Sequence, residues 1–456
     1  RHPGGATARA VARTEKAMTT AMILALVVLV AMILMIMFDV LPFGVPPLAC
    51  CVLIVIFGSV FGGAMPELEK PWDISYAFAG FTNNTVWMLA FFMVILAAIQ
   101  KTQMINKVKD AMTKLVEIGG FKSYVALLIV VMLGASILGM GSTAFYVLIF
   151  SLVVTMPYND KLPGSKLMLP LGIASNHPLI PINVALQYGV AVSILASAGL
   201  GESISMMQFA IVTFFLSVGF FVWAVIGYRF LPSHPVAEPT VENAAALSGD
   251  GAATMEPWKE AITIISFVVA IVAMMFVDTL GQLSYIIPGV AAIVMLLIKV
   301  LDFTEFRDNL FSPIILMTAG VIPVANCLAD SGLSLMVGNA VASVIGTGVP
   351  PFVLLLIFTV LCSTFACFTG SQVGIAMIFA PLAIAVCQGL GYNPMAACVA
   401  VVLSAWAGHY MPIDGLPAMA YGMGKYTMAE FWKFTIPQYV VRLLFLCAGA
   451  LIVFPM

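Results

Sequence analysis

The sequence has few charged residues. Asp, Glu, Lys and Arg together make up 9% of its 456 residues, while hydrophobic residues make up 62%. A soluble domain usually has about 25% charged residues. So little charge cannot cover the surface of a water-soluble protein of this length. Composition therefore excludes a soluble enzyme and a disordered protein, and a net charge of −2 provides no basic surface for nucleic acid.

The sequence also lacks the motifs of metal sites and of common catalytic sites. It has no His/Glu metal motif, no paired catalytic acids and no Gly-x-Ser-x-Gly. An intramembrane enzyme is therefore a weak alternative, and we expect no cofactor other than Na⁺ as a possible coupling ion. The cysteines lie in or beside apolar runs without metal-ligand spacing, so we interpret them as small hydrophobic residues; they are Cys50, Cys51, Cys327, Cys362, Cys367, Cys387, Cys398 and Cys447.

Most of the sequence consists of long runs without charged residues. No Asp, Glu, Lys or Arg occurs between Asp330 and Asp414, and several shorter gaps precede this one. The runs are continuously apolar and do not alternate as the strands of a membrane barrel would. Helices are then the only plausible spanning elements. The sequence predicts an all-α, multi-pass membrane protein with roughly ten spans, and the bacterial inner membrane is the expected location.

The gaps between charges predict helices of unequal length. Some are too short to cross a membrane and are expected to be half-helices. Residues 101–118 carry four lysines among apolar positions, a pattern typical of a helix lying in the membrane interface. The predicted helices are 19–41, 45–63, 83–100, 123–140, 143–157, 163–175, 184–198, 206–231, 258–277, 283–300, 312–329, 350–368, 373–389, 392–407, 416–424 and 430–454.

A polar stretch divides the chain into two comparable halves. Residues 232–257 are rich in Pro, Ala and acids and indicate a flexible, cytoplasmic linker. We therefore expect an N-terminal tail at 1–18, a first repeat at 19–231 and a second repeat at 258–456.

The two halves match at an offset of about 230 residues, because short motifs of the first half recur at that distance in the second half. Gly141-Ser142 corresponds to Gly370-Ser371, and Tyr188-Gly189 corresponds to Tyr421-Gly422. Internal repeats of this kind, often inverted in the membrane, are typical of secondary transporters.

Inverted repeats predict where basic residues lie. If residues 101–118 face the cytoplasm, their uncharged counterpart at 331–346 faces the opposite side. Most of the 19 basic residues then fall inside, whereas Lys70 falls outside and Arg442 falls outside or within the membrane. The basic N-terminal tail breaks this rule. The hypothesis that accommodates it is a further apolar helix before residue 1.

Two proline-rich interruptions fall inside apolar runs. The first break covers residues 175–183 and the second covers residues 408–417. Two closely spaced prolines should unwind a helix, and unwound backbone survives in lipid only when protein buries it or it lines a wet cavity. The alternative is a kinked helix whose freed groups bond to neighbouring helices.

Two glycine-containing turns lie midway through other apolar runs. They are residues 139–143 and 369–372, and we call them the first and second tips. A helix that begins after such a turn directs free amides and its positive end at whatever lies there. Two re-entrant tips that meet two broken helices would make an anion site with cation sites beside it. The alternative is two ordinary hairpins that cross the whole membrane.

These residues resemble the divalent anion:sodium symporter family of the ion-transporter superfamily. The stretch Gly80-Phe81-Thr82-Asn83-Asn84-Thr85-Val86 is similar to the family's Gly-Phe-Ser-Asn-Pro-Thr-Val, and residues 389–437 give the best match. The resemblance implies inverted repeats, each with a re-entrant hairpin and a broken helix, and a homodimer. It also implies elevator-type symport or exchange of small di- or tricarboxylates or sulfate.

The tips depart from the family's Ser-Asn-Thr, and Asp414-Gly415-Leu416-Pro417 replaces the family's Thr-Pro-Pro-Asn. The asparagines of the family's tips and of its second break are absent here, and a carboxylate and two histidines stand in the breaks, which favours coupling to H⁺ over Na⁺. Asp414 is interpreted as a proton carrier, a cation ligand or a helix cap. A histidine can titrate near neutral pH or serve as a structural donor, and the asparagines can bind ligand or cap helix ends.

We therefore predict a secondary transporter of a small anion, coupled to H⁺ or Na⁺. The expected partners are the anion, membrane lipid and a second copy of the chain, with no nucleic acid. A cation/proton antiporter of the same superfamily is the alternative. The predicted substrate-binding residues are Ser142, Thr143, Asn176, His177, Asn183, Ser371, Gln372, His409 and Asp414. A possible Na⁺ is expected near Gly141, Ser142, Ser175, Gly370, Ser371 and Gly408.

Overall fold

The structure is a computed structural model. It describes residues 18–38, 40–42, 44–156, 159–200, 204–238, 255–333, 336, 348–413 and 415–456. Within these ranges the regular secondary structure is entirely helical. The predicted all-α fold is confirmed.

Eighteen helices of eight or more residues are described, and most agree with the predicted spans to within a few residues. In chain order they are α1 Thr20–Met37, α2 Pro46–Phe61, α3 Asn84–Gln100, α4 Met104–Ile118, α5 Gly120–Leu138, α6 Thr143–Thr155, α7 Gly164–Ala174, α8 Ala185–Ser197, α9 Met206–Gly227, α10 Pro257–Met275, α11 Leu283–Leu297, α12 Phe303–Leu310, α13 Pro313–Asp330, α14 Pro351–Thr369, α15 Gln372–Leu390, α16 Met395–Ser404, α17 Gly415–Gly424 and α18 Met428–Val453.

Helix α12 was not among the predicted helices. Its N-terminus has a capping box in which the Asp302 side chain accepts from the Glu305 amide at 2.8 Å and the Glu305 carboxylate accepts from the Asp302 amide at 3.0 Å. Asp and Glu three residues apart are the usual sequence signature of a helix start. Apolar runs do not indicate this helix because it is short and polar.

The helices differ in length. In the described part of the chain, eight helical segments are long and apolar enough to cross a membrane. The helices on either side of the two breaks, α7, α8, α16 and α17, have only 10 to 13 residues each. At 1.5 Å per residue, each is about half of a membrane's hydrocarbon thickness, so these are the predicted half-helices.

The amphipathic segment is helical, as predicted. Helix α4 occupies most of residues 101–118, and Asn159 donates from its side-chain amide to the Val116 carbonyl oxygen at 3.3 Å near its C-terminal end. The predicted counterpart at 331–346 lies almost entirely outside the described residues, so the comparison between the two segments stays a prediction.

Helix packing repeats between the halves. Helix α3 packs against α11 as α13 packs against α2, and α7 packs against α5 and α6 as α16 packs against α14 and α15. Helices α9 and α18 pack against each other. This is the pairing that two related repeats produce about a shared axis. The inverted orientation of the repeats and their boundaries remain predictions.

Segment 101–118, which was predicted to lie inside the cell, contacts residues of the second half at one end of the helices. The Lys101 ammonium contacts the Glu305 carboxylate at 2.6 Å, and the Glu260 carboxylate accepts from the Gln103 amide at 3.1 Å. At the other end of α13, the Tyr76 hydroxyl donates to the Asp330 carboxylate at 2.8 Å. Lys70 lies close in sequence to this second group.

This grouping predicts the outcome of labelling in oriented vesicles. Single cysteines at Lys101→Cys and Arg307→Cys should react with a membrane-impermeant maleimide from one side, and Lys70→Cys should react from the other. The unmodified chain is the control, because its eight cysteines are buried. Labelling of Lys70→Cys and Lys101→Cys from the same side would contradict this arrangement.

Candidate functional site

The first broken helix loses its helical backbone between α7 and α8. Helix α7 ends at Ala174 and α8 begins at Ala185, with Pro178 and Pro181 between them. The Ser175 hydroxyl turns back to the Gly172 carbonyl oxygen at 2.6 Å. Except for Leu179, Ile180 and Ile182, every residue from 175 to 183 is buried. The interruption is therefore buried within protein, as its unwound backbone requires.

The second break lies between α16 and α17. Gly408 packs against α14 so closely that a Cβ atom there would lie 2.4 Å from the Ser363 carbonyl oxygen. Asp414, one of the predicted site residues, lies outside the described residues. The predicted role of Asp414 therefore rests on the sequence alone.

The two breaks meet. The Asn176 side-chain amide lies 3.3 Å from the His409 Nε2 atom. Helix α7, which precedes the first break, packs against α17, which follows the second, and α8 packs against α16. The two broken helices therefore lie side by side in opposite directions, with their interruptions in contact.

The first tip contacts the first break. The Gly141 amide donates to the Asn176 side-chain oxygen at 3.0 Å, and Asn183 donates from its side-chain amide to the Ile137 carbonyl oxygen at 2.7 Å. Gln187 donates to the Met140 carbonyl oxygen at 3.4 Å. A hairpin that crossed the whole membrane would carry its turn to the far surface, so these contacts favour the re-entrant interpretation.

Both tips line one cavity of about 450 Å³. Met140 and Gly141 come from the first tip, Thr369 to Gln372 come from the second, and Trp406 contributes from beside the second break. A neighbouring cavity of about 290 Å³ shares Met140 and Gly141 and is also lined by Ser142, Thr143 and Asn183. Among the described residues that line these cavities, none carries a charged side chain.

The helices that follow the tips begin without side-chain caps. Ser142 stands at the N-cap of α6 and Ser371 at the N-cap of α15, and neither side chain accepts from its own helix. The Ser371 hydroxyl is buried and has no hydrogen-bond partner. Uncapped helix N-termini carry amide donors and a partial positive charge, so the walls of the cavity suit a negatively charged group.

The predicted cation positions divide into two sets. Gly141, Ser142, Gly370 and Ser371 line the cavities. Ser175 and Gly408 are buried within the breaks, and the Ser175 hydroxyl already bonds to its own helix. The tips therefore offer more polar atoms for a cation than the breaks do, and Na⁺ binding stays a prediction.

Arg442 was not among the predicted site residues. It lies on α18 with no exposed surface and contacts both breaks: its Nη1 atom is 3.1 Å from the His177 Nε2 atom and 3.2 Å from the His409 Nδ1 atom. Its Nη2 atom donates to the Ala407 carbonyl oxygen at 2.6 Å. The sequence could have indicated Arg442, which is the one charged residue after Lys433. An ionisable residue in a membrane helix usually has a function.

The contact of the second break with α14 predicts the effect of adding one methyl group. Gly408→Ala should lower the free energy of unfolding by about 1–3 kcal/mol because the new Cβ overlaps the Ser363 carbonyl. Thermal unfolding in detergent would measure it. Gly422→Ala in α17 is the matched control, since a Cβ there meets no atom within 4 Å, and its stability should be unchanged or slightly higher. Equal stability of the two variants would contradict the packing.

The chain is similar to known transporters. Residues 14–372 match the model of the citrate transporter family. The chain is 25% identical over 177 residues to the uncharacterized transporter YfbS of Escherichia coli K12, which covers 38% of this chain and 28% of that protein, so the match spans under a third of the relative. In fold it resembles the crystal structure of the Alcanivorax borkumensis YdaH transporter, with a TM-score of 0.57, 15% identity, and coverage of 90% of this chain and 99% of that one.

The family match covers most of the chain, and the resemblance to the ion-transporter superfamily is confirmed. The protein is a multi-pass membrane transporter and not an enzyme. The chain belongs to the citrate transporter family.

Proposed function

We propose that the protein is a secondary active transporter of a small di- or tricarboxylate, with citrate as the first candidate and sulfate-like anions as the next. Its family is named for citrate transport. The observation that carries the proposal is the cavity between the two tips, which Ser371 and the uncapped N-terminus of α15 line, with the uncapped N-terminus of α6 lining the neighbouring cavity. A polycarboxylate supplies the acceptors that these donors lack.

The absence of an acid among the described lining residues also supports an anion. A cation/proton antiporter would need carboxylates or a cage of carbonyl oxygens at this position. Asp414 is the residue that could supply a carboxylate, so the antiporter stays the alternative, and a transport assay decides between the two.

We propose that alternating access occurs by an elevator movement of the tips together with the broken helices. In support, the first tip bonds to the first break and the two breaks contact each other. Groups that bind the substrate from four segments can carry it only if those segments move as one body. The proposed transporter functions as a homodimer in the bacterial inner membrane.

We propose coupling to H⁺ rather than Na⁺. The asparagines that the resemblance associates with sodium are missing from both tips, and Asp414 stands in the second break. A carboxyl group in a membrane segment can bind and release a proton when its surroundings disfavour its charged form.

Uptake into proteoliposomes tests the substrate and the coupling ion. Labelled citrate, succinate and sulfate should be presented with an inward proton gradient, an inward sodium gradient or neither. Proton-driven accumulation of citrate is the expected result. Exchange of Na⁺ for H⁺ without uptake of any anion would establish the antiporter instead.

Asp414→Asn should abolish accumulation driven by the proton gradient, because the amide cannot carry a proton. Counterflow of citrate at equal pH should continue at a reduced rate. Full gradient-driven accumulation by this variant would show that Asp414 does not carry the coupled proton.

Ser371→Ala should raise the KM for citrate by about fivefold, the effect of losing one hydrogen bond of roughly 1 kcal/mol, with little change in thermal stability. Ser312→Ala is the matched control. Its hydroxyl is also buried without a partner and also stands at a helix N-cap, but it lines neither of the two cavities. A KM that rises equally in both variants would contradict the role of Ser371.

A further inference from the structure

A buried row of polar contacts connects α18 to the first tip. Arg442 contacts His409, His409 contacts Asn176, and Asn176 contacts Gly141, with separations of 3.2, 3.3 and 3.0 Å. Arg442 and Gly141 stand at its two ends, and His177 adjoins it through Arg442 at 3.1 Å. In the described part of the chain, no carboxylate forms an ion pair with Arg442. The row therefore brings a positive charge without a described counter-ion to the place where the breaks meet.

The chemistry of the guanidinium determines which ring nitrogens carry hydrogen. Arginine only donates, so the His177 Nε2 and His409 Nδ1 atoms that face Arg442 must both accept. His177 then carries its hydrogen on Nδ1, which donates to the Ile173 carbonyl oxygen at 2.8 Å. His409 carries its hydrogen on Nε2, the atom that faces Asn176.

The other end of the row imposes the opposite direction. The Gly141 amide also only donates, so the Asn176 side-chain oxygen accepts from it and the Asn176 NH₂ group faces His409. Two N–H groups therefore point into the same contact, 3.3 Å apart. If the Asn176 amide is flipped so that its oxygen faces His409, its NH₂ group faces the Gly141 amide, and the contact between two donors is then at Gly141. The His409 ring and the Asn176 amide can each donate one hydrogen bond and accept one along the row, but Arg442 and the Gly141 amide can only donate. Whichever way the two middle groups are oriented, one contact in the row therefore has a donor on both sides.

A buried contact between two donors is unfavourable because both groups give up water without gaining an acceptor. An oxygen that carries negative charge removes the conflict, since both N–H groups can donate to it and the Arg442 charge stabilises it. The side chains concerned are at the edge of the cluster: Asn176 and His409 are 4% and 5% exposed, whereas His177 and Arg442 have no exposed surface.

We propose that Asn176 Nδ2 and His409 Nε2 together bind one carboxylate oxygen of the transported anion, and that Arg442 is a positioning residue that holds His409 in the donating tautomer. This inference rests on the proposed function. It assigns an anion-binding role to residues from both breaks and makes Arg442, on a third element, a determinant of affinity that does not touch the substrate.

The tautomer can be observed directly. The chain has four histidines, so ¹⁵N-histidine NMR spectra of the full chain in lipid nanodiscs, with His177→Gln and His409→Gln for assignment, resolve each ring. His409 should carry its hydrogen on Nε2, and the signal of that nitrogen should move when citrate is added. A His409 ring with hydrogen on Nδ1, or an Nε2 signal that citrate leaves in place, would overturn the proposal.

Transport kinetics test the part played by Arg442. Arg442→Met should release His409 into a mixture of tautomers and raise the KM for citrate at least tenfold, with a smaller change in kcat. Arg442→Lys keeps a donating cation and should stay within about threefold of the wild-type KM. Arg229→Met, which removes an exposed arginine two residues after the end of α9, is the control for loss of charge and should leave KM unchanged.

The outcomes distinguish a failure of the proposed function from a failure of the roles proposed for Asn176, His409 and Arg442. Wild-type protein that transports none of the anions would overturn the proposed function, whatever the NMR spectra show. Normal uptake with an unchanged KM in Arg442→Met would overturn this inference alone. If Arg442→Met does not fold, the wild-type spectrum and the Arg442→Lys KM still decide it, because a role confined to packing predicts no shift of the His409 signal with citrate.

Discussion

The structure depends on one constraint, which is that a membrane interior offers no water to unpaired backbone groups. Each proline-rich break opens a helix inside an apolar run and frees such groups. The first break is tolerated because most of it is buried against the second break and the first hairpin, as the contacts from Gly141 to Asn176 and from Asn183 to Ile137 illustrate. The polar groups that satisfy the breaks are the groups available to a solute.

The same constraint explains the polarity of the cavity. Two hairpin tips present helix N-termini, so the unpaired backbone groups at those ends are amide donors. Behind the first tip, where the breaks meet, lie the donors of Asn176 and His409 and the charge of Arg442, for which no described carboxylate compensates. Amide donors at helix N-termini suit a carboxylate better than they suit a metal cation, which supports the proposed anion substrate.

Helix existence could be predicted because the membrane imposes a simple rule on composition. Continuous apolar runs have one stable backbone form in lipid, and prolines and glycines mark where that form stops. The boundaries of α7, α8, α16 and α17 follow from this rule. Helix α12 escaped prediction because polar helices at a membrane surface form through capping, and the capping box at Asp302 was the signal to read.

By itself, the sequence determined the all-helical membrane fold, the two breaks, the two glycine tips and the presence of histidine and asparagine within the breaks, because each of these depends on local chemistry. Only the tertiary structure decided that the breaks touch, that both tips line one cavity and that Arg442 reaches both histidines, since those contacts join residues up to 265 positions apart. Spacing along one chain cannot specify which faces of separate helices meet. That is decided by how the helices pack, and packing places a single arginine of the last helix between the two halves.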